Sequence, residues 1–337
     1  MEKTTDPTNK PTTIRVLATT GGFRTFVAFL AALLIFLVVF LVGIIAGAAG
    51  TAAATQDKGV VQVKTMHDGG RDVVAILDVS GVISGATADY VRSAVDGMLL
   101  DEDIRAVVLR VDSPGGGVTA SDEIWHQVGR LKSAKLPIIA SYGGLAASGG
   151  YYISCGADTI IAQETTITGS IGVIAKVLTF QGLLEKLGVA PVTLVAKGSP
   201  DKSIANDVFR TWDAKDKAEV ESILNAAYTI FADRVRQGRG HVIESPAALA
   251  TIADGSVYTA QEALANGLID GIGYLDDAVV LATKQAGLAG SDPTIRRYKR
   301  RVAMFSLMGA SSSEFSSNDI RGLLQELTLP RRMFMLD

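Results

Sequence analysis

AVVLRVDSPGGGV occupies residues 106–118 of a 337-residue chain, and its reading decides the fold. An apolar, β-branched run that stops on Asp-Ser-Pro and three glycines is a buried strand followed by a tight turn. The next residues, 118–132, place Ile124, Val128 and Leu131 on one stripe, the signature of an amphipathic helix. The same alternation extends both ways. VVAILDVSGVI at 73–83 predicts a strand, 86–100 a helix, and LPIIASYG at 136–143 a third strand. Further on, a small-residue helix is expected at 146–155, a strand at 158–162, a helix at 177–187, a strand over VTLVAKG at 192–198 and a long helix at 215–236. Alanine-rich helices follow to about residue 286. Strands alternating with helices predict an α/β fold with mostly parallel strands.

Composition narrows the classes. Hydrophobic residues make up 48% of the chain and the net charge is −3, with no basic stretch suited to nucleic acid as the main partner. A single cysteine, Cys155, rules out an intramolecular disulfide. His67, His126 and His241 are far apart and in no metal-ligand spacing, so no metal and no cofactor is expected.

No charged residue lies between Arg24 and Asp57, and residues 26–50 are continuously apolar. As a helix they would span about 37 Å, against about 30 Å of bilayer core. A cleaved signal peptide has a shorter apolar region, so residues 25–50 are read as an intact transmembrane helix. The tail at 1–24 carries Lys3, Lys10, Arg15 and Arg24 against Glu2 and Asp6, which predicts a cytoplasmic N-terminus and a domain on the outer face. Residues 51–71 are expected to be a linker, 72–290 the globular domain, and the polar stretch 291–337 a flexible tail.

The chemistry is concentrated in SYGGLAASGGYYISCGADTIIAQETTITGSIGV, residues 141–173. Ser148 follows a strand and opens a helix, facing unsatisfied N–H groups and the positive end of the helix dipole. Gly149 and Gly150 let a substrate backbone approach. A plain packing turn explains the same residues. The PGGG loop presents backbone donors without phosphate-loop spacing; it suits an oxyanion hole built from Gly115 or Gly116 together with the Ser148 N–H, or a simple turn. A serine nucleophile needs a base. His126 lies about 200° around its helix from Ile124, towards solvent, and neither other histidine is placed beside Ser148. Lysine remains, usable as a base where burial lowers its pKa. Lys197 and Lys202 flank a Gly-Ser-Pro loop, and pattern alone does not choose between them; each also reads as a solvated loop lysine. Cys155 reads as a small buried hydrophobe.

AASGGYYISCGAD, TGSIGV, RVDSPGGGV, KGSPDKS, IADGSVYTAQEALANGLID and GYLDD, spread over residues 73–286, together resemble the signal peptide peptidase A family. The resemblance implies a ClpP/crotonase-like fold of repeated ββα units behind one transmembrane helix. It implies Ser148 as nucleophile, Lys202 as general base with Lys197 as the first lysine of its segment, and Ser170 as the residue orienting the lysine amine. Gly115 is implied as oxyanion donor, with Gly116 as the close alternative. It further implies a membrane-bound endopeptidase acting on cleaved signal peptides and unfolded apolar chains, assembled as a homo-oligomer, an octamer among the sizes. Two other readings are a crotonase-type acyl-CoA enzyme and an inactive membrane-tethered scaffold of the same fold.

Overall fold

The computed structural model describes residues 61–203, 207–243 and 245–301. The expected transmembrane helix and cytoplasmic tail lie outside these residues, and no helix among the described residues is long and apolar enough to cross a membrane. In chain order the elements are β1 (Val61–His67), β2 (Gly70–Ser80), α1 (Gly85–Leu100), β3 (Ile104–Ser113), α2 (Val118–Ser133), β4 (Ile138–Ala147), α3 (Gly149–Ser154), β5 (Thr159–Ala162), β6 (Ile167–Gly169) and α4 (Gln181–Leu187). A 3-10 turn (Pro200–Ser203) precedes α5 (Ala214–Arg239), α6 (Pro246–Ile252), β7 (Val257–Thr259), α7 (Ala260–Ala265), β8 (Gly271–Ile272), α8 (Leu275–Gln285) and β9 (Pro293–Arg300).

The strands form one sheet in the order β1-β9-β2-β3-β4-β5-β8, with β6 on the end of β4 and β7 on β6. All pairings are parallel except β1 with β9 and β6 with β7. The period-2 alternation of each strand divides the core. Val73, Ala75, Leu77, Val107 and Leu109 face a large layer that includes Tyr90, Val91 and Ile124 from α1 and α2. Val74, Ile76, Ala106, Val108 and Ile139 face the other way onto Ala278 and Ala282 of α8. Each large side chain so buried contributes about 1.5–3 kcal/mol. The α2 stripe of Ile124, Val128 and Leu131 is buried as its spacing predicts, and His126 is exposed.

Three expectations need correction. The linker at 51–71 contains β1 and the start of β2. The tail at 291–337 begins with β9, a strand inside the sheet rather than an irregular segment; residues 302–337 lie outside the described residues. β9 is rich in arginine yet held, because its charges are matched: Arg297 donates to both oxygens of Asp78 at 2.8 and 3.0 Å, and Arg296 pairs with Asp101 at 2.5 Å. Residues 192–198 form no strand. Val192 and Leu194 are 80% and 91% exposed, since no strand among the described residues accepts their backbone or covers their side chains.

Candidate active site

Ser148 stands between the end of β4 and α3 with φ 52° and ψ −118°. L-residues avoid positive φ, and such strain gathers at functional sites. Only Lys135, Ser148 and Ser170 among the described non-glycine residues have it. The two serines are neighbours by register. β4 pairs with β6 as Leu145↔Ile167, Ala146↔Thr168 and Ala147↔Gly169. The Ser148 N–H then donates to the Gly169 carbonyl at 2.8 Å, which places Ser170, φ 51°, alongside. Ser170 is fixed from its other side, its N–H donating to the Ser256 carbonyl at 2.7 Å. Thr168 Oγ1 donates to the Ala146 carbonyl and Thr166 Oγ1 to the Gly143 carbonyl, each at 2.6 Å, stitching β6 to the end of β4.

The glycine loop after β3 lies directly on the Ser148 turn. A β-carbon on Gly115, φ 98°, would stand 2.6 Å from Gly149 N and 2.9 Å from Ser148 Cβ. A β-carbon on Gly116 would stand 2.1 Å from the Ile83 carbonyl oxygen. Only glycine fits either position. Ile83 N–H donates to the Gly115 carbonyl and Gly117 N–H to the Ile83 carbonyl, both at 2.9 Å, so the loop is held as one more parallel bridge.

Two of the amides expected to form an oxyanion hole already have acceptors. The Gly115 N–H donates to Ser113 Oγ at 3.0 Å, and the Ser148 N–H is taken by Gly169. The Gly116 N–H has no acceptor among the described residues, and Gly149 opens α3, where first-turn N–H groups lack intrahelical partners. Of the loop pair Gly115 and Gly116, then, only the Gly116 N–H is left without an acceptor among the described residues.

Lys197 and Lys202 lie on the segment between β6 and α5. Both are exposed, Lys202 within the 3-10 turn. The segment carrying them holds itself together: Phe180 N–H donates to the Val208 carbonyl at 2.7 Å, Thr193 Oγ1 to Asp207 at 2.9 Å and Trp212 Nε1 to the Asp207 carbonyl at 2.9 Å. It is tied onward to α5 by Lys215 with Asp201 and Arg210 with Asp216. The Arg210 bond is the main cause holding the Asp216 carboxyl down to about 2.

Several supporting residues escaped sequence reading. Buried Ser113 accepts from Gly115 and donates to the Gly81 carbonyl at 2.6 Å, so it sets the loop. Its only signal is its place immediately before PGGG. Tyr151 and Tyr152 anchor α3, through Tyr151 Oη to the Leu268 carbonyl at 2.9 Å and Tyr152 Oη to Asp122 at 2.6 Å. Cys155 is buried, and desolvation pushes its thiol up to about 12, in keeping with a packing role. No group of side chains suited to a metal occurs among the described residues.

Residues 130–289 match the model of peptidase family S49. A signal peptide peptidase SppA homologue by name, from Enterococcus faecium, is 38% identical over 206 residues, 61% of this chain and 58% of that one. A protein of Synechocystis sp. named as a protease is 38% identical over 66% of this chain and 76% of its own length. The chloroplastic serine protease SPPA of Arabidopsis thaliana is 32% identical over 77% of this chain, which spans 40% of that protein. The family match falls on the segment that carries Ser148, Ser170 and both lysines, and with these relatives it shows that the chain belongs to peptidase family S49, among the SppA proteases.

Proposed function

We propose that the chain is a membrane-bound serine endopeptidase that degrades cleaved signal peptides and other unfolded apolar chains through a Ser148–Lys202 dyad. The observation that carries the reading is the pairing of two serines at positive φ, Ser148 and Ser170, under a glycine loop that tolerates no side chain. The name of the E. faecium relative supports the substrate class. The parallel sheet fits a ClpP/crotonase-like fold, and the apolar stretch at 26–50 supports a single-pass anchor with the N-terminus cytoplasmic and the catalytic domain outside.

In the proposed reaction Lys202 Nζ, in its neutral form, takes the proton of Ser148 Oγ as that oxygen bonds to the substrate carbonyl carbon. Ser170 orients the amine. The carbonyl oxygen, now negative, is met by the Gly116 N–H; loss of one such donor costs about 3–4 kcal/mol of transition-state stabilisation. The C–N bond breaks as the lysine returns the proton to the leaving amine, and water then hydrolyses the acyl-enzyme by the same exchange.

A lysine works as a base only when dry surroundings disfavour its charge. Lys202 is exposed in the single chain, but its segment also exposes Ile174, Leu178, Leu187, Val192 and Leu194. Covering these side chains with a second copy would bury the segment, which supports assembly as a homo-oligomer. The test is hydrolysis of an apolar peptide and labelling by a fluorophosphonate. Ser148→Ala and Lys202→Ala are expected to be inert, Lys197→Ala to keep substantial activity, and wild-type activity to rise with pH. Turnover by Ser148→Ala would end the reading, and an inert Lys197→Ala beside an active Lys202→Ala would reassign the base.

A further inference from the structure

A hydroxyl beside the Ser148 turn is left without a partner. Ser121 lies in the first turn of α2, its N–H donating to the Gly117 carbonyl at 3.0 Å. Its side chain is buried, the residue 2% exposed, and Oγ has no hydrogen-bond partner among the described residues. Such a group is normally satisfied, because leaving it unpaired costs about 1–3 kcal/mol. Its position is specific. The point that a β-carbon on Gly149 would occupy lies 2.5 Å from Ser121 Oγ and 3.2 Å from Gly116 N and from Gly115 Cα. The hydroxyl, the unpaired loop donor and the residue after the nucleophile therefore meet at one spot.

We propose that Ser121 is a positioning residue for acyl transfer: its hydroxyl backs the Gly116 donor and turns its dipole towards the negative oxygen of the tetrahedral intermediate. The proposal rests on Ser148 being the nucleophile. The O–H has no acceptor to give up, so it reorients without breaking a hydrogen bond. A buried dipole acts in a low dielectric and is worth more there than in water. Its interaction exists only once the charge has formed, which is the condition for raising kcat rather than lowering KM. The same oxygen fills the space behind Gly149 and so keeps the spacing between Ser148 and Gly116 from drifting. No bond to Ser121 is made or broken.

The experiment uses the full-length protein, a fluorogenic apolar peptide and a fluorophosphonate whose adduct mimics the tetrahedral intermediate. Ser121→Ala is expected to lower kcat about tenfold, less than the roughly 100-fold or more lost with a direct donor. KM should stay within about twofold and the melting temperature should not fall, because the change removes an unpaired oxygen. Phosphonylation should slow by the same factor as kcat, and Ser121→Cys, which keeps a polar hydrogen, should recover part of the loss. Unchanged kcat and phosphonylation would overturn the proposal. So would a loss of kcat that tracks a lower melting temperature and is equal in the Ala and Cys variants, since that is the mark of packing alone. Ser148→Ala, run alongside, separates the two levels: residual turnover there removes the serine reading, whereas an inert Ser148→Ala with an unaffected Ser121→Ala removes only the role of Ser121.

Discussion

Asp270→Ala should be the most destabilising single change in the turn that supports α3. Arg239, at the end of α5, is 0% exposed and donates to Asp270 through Nη1 at 2.9 Å and Nη2 at 2.7 Å. Nε and Nη2 also donate to the Gly267 carbonyl at 2.9 and 2.8 Å. Burial works against the guanidinium charge, and the Asp270 bond more than restores it. Removing the carboxylate leaves a buried cation with one carbonyl for company, a loss of about 3–5 kcal/mol. Asp270 Oδ2 also accepts the Ile160 N–H at 2.7 Å, so β5 loses a further bond worth about 1 kcal/mol. For a domain of this size each kcal/mol moves the melting temperature by about 2–4 °C, which gives a fall of roughly 10 °C or more. The assay is a thermal melt of the full chain followed by circular dichroism. Activity should fall too, because Tyr151 of α3 bonds to Leu268 in the same turn. The double variant Arg239→Met with Asp270→Ala should recover much of the stability, since no charge is then stranded. A single variant melting within about 2 °C of the wild type, under 1 kcal/mol on that scale, would refute the reasoning.

Two further outcomes are expected. Gly116→Ala would bring a β-carbon within 2.1 Å of the Ile83 carbonyl oxygen; the loop must shift by about 1 Å, and peptide kcat should drop about 100-fold, measured against the wild type at saturating substrate. The Arg210 bond holds Asp216 below its ordinary 3.8 at about 2. A lowered carboxyl contributes stability that is fully present above the ordinary value and is lost as pH falls through the folded one. The wild-type melting temperature should therefore decline between about pH 4 and pH 2 more steeply than that of Asp216→Asn, and parallel curves would remove the linkage.

The legible part of the fold is the part whose neighbours are local. β2, β3 and β4 announce themselves because both faces of a central parallel strand are buried, which leaves unbroken runs such as VVAIL. The α2 stripe is legible for the same reason of period. β9 reads as tail in the sequence because Arg296 and Arg297 look solvated until Asp101 and Asp78 are brought to them from nearly 200 residues away or more. The reverse holds at 192–198, where alternating Val and Leu have strand propensity but no strand among the described residues lies beside them to complete the ladder. Ser148 was legible as a serine opening a helix after a strand. Which amides beside it already have acceptors was not, because those acceptors, Ser113 Oγ and the Gly169 carbonyl, are assigned by tertiary register rather than by motif.

β9 also has a consequence for how the protein is made. It is inserted between β1 and β2, and Gly69 N–H reaches Thr294 Oγ1 across 225 residues of chain. Until residue 300 has left the ribosome, β1 has no partner and one edge of β2 is bare. At about 5–20 residues per second that interval is tens of seconds, spent with an apolar strand open to wrong pairings. The Ser148 turn, further along the same sheet, can form earlier from β3, β4 and β6, so that part of the domain can assemble first and the sheet is sealed last beside β1. A chain that stops short of β9 would present that open edge permanently to whatever machinery inspects newly made proteins.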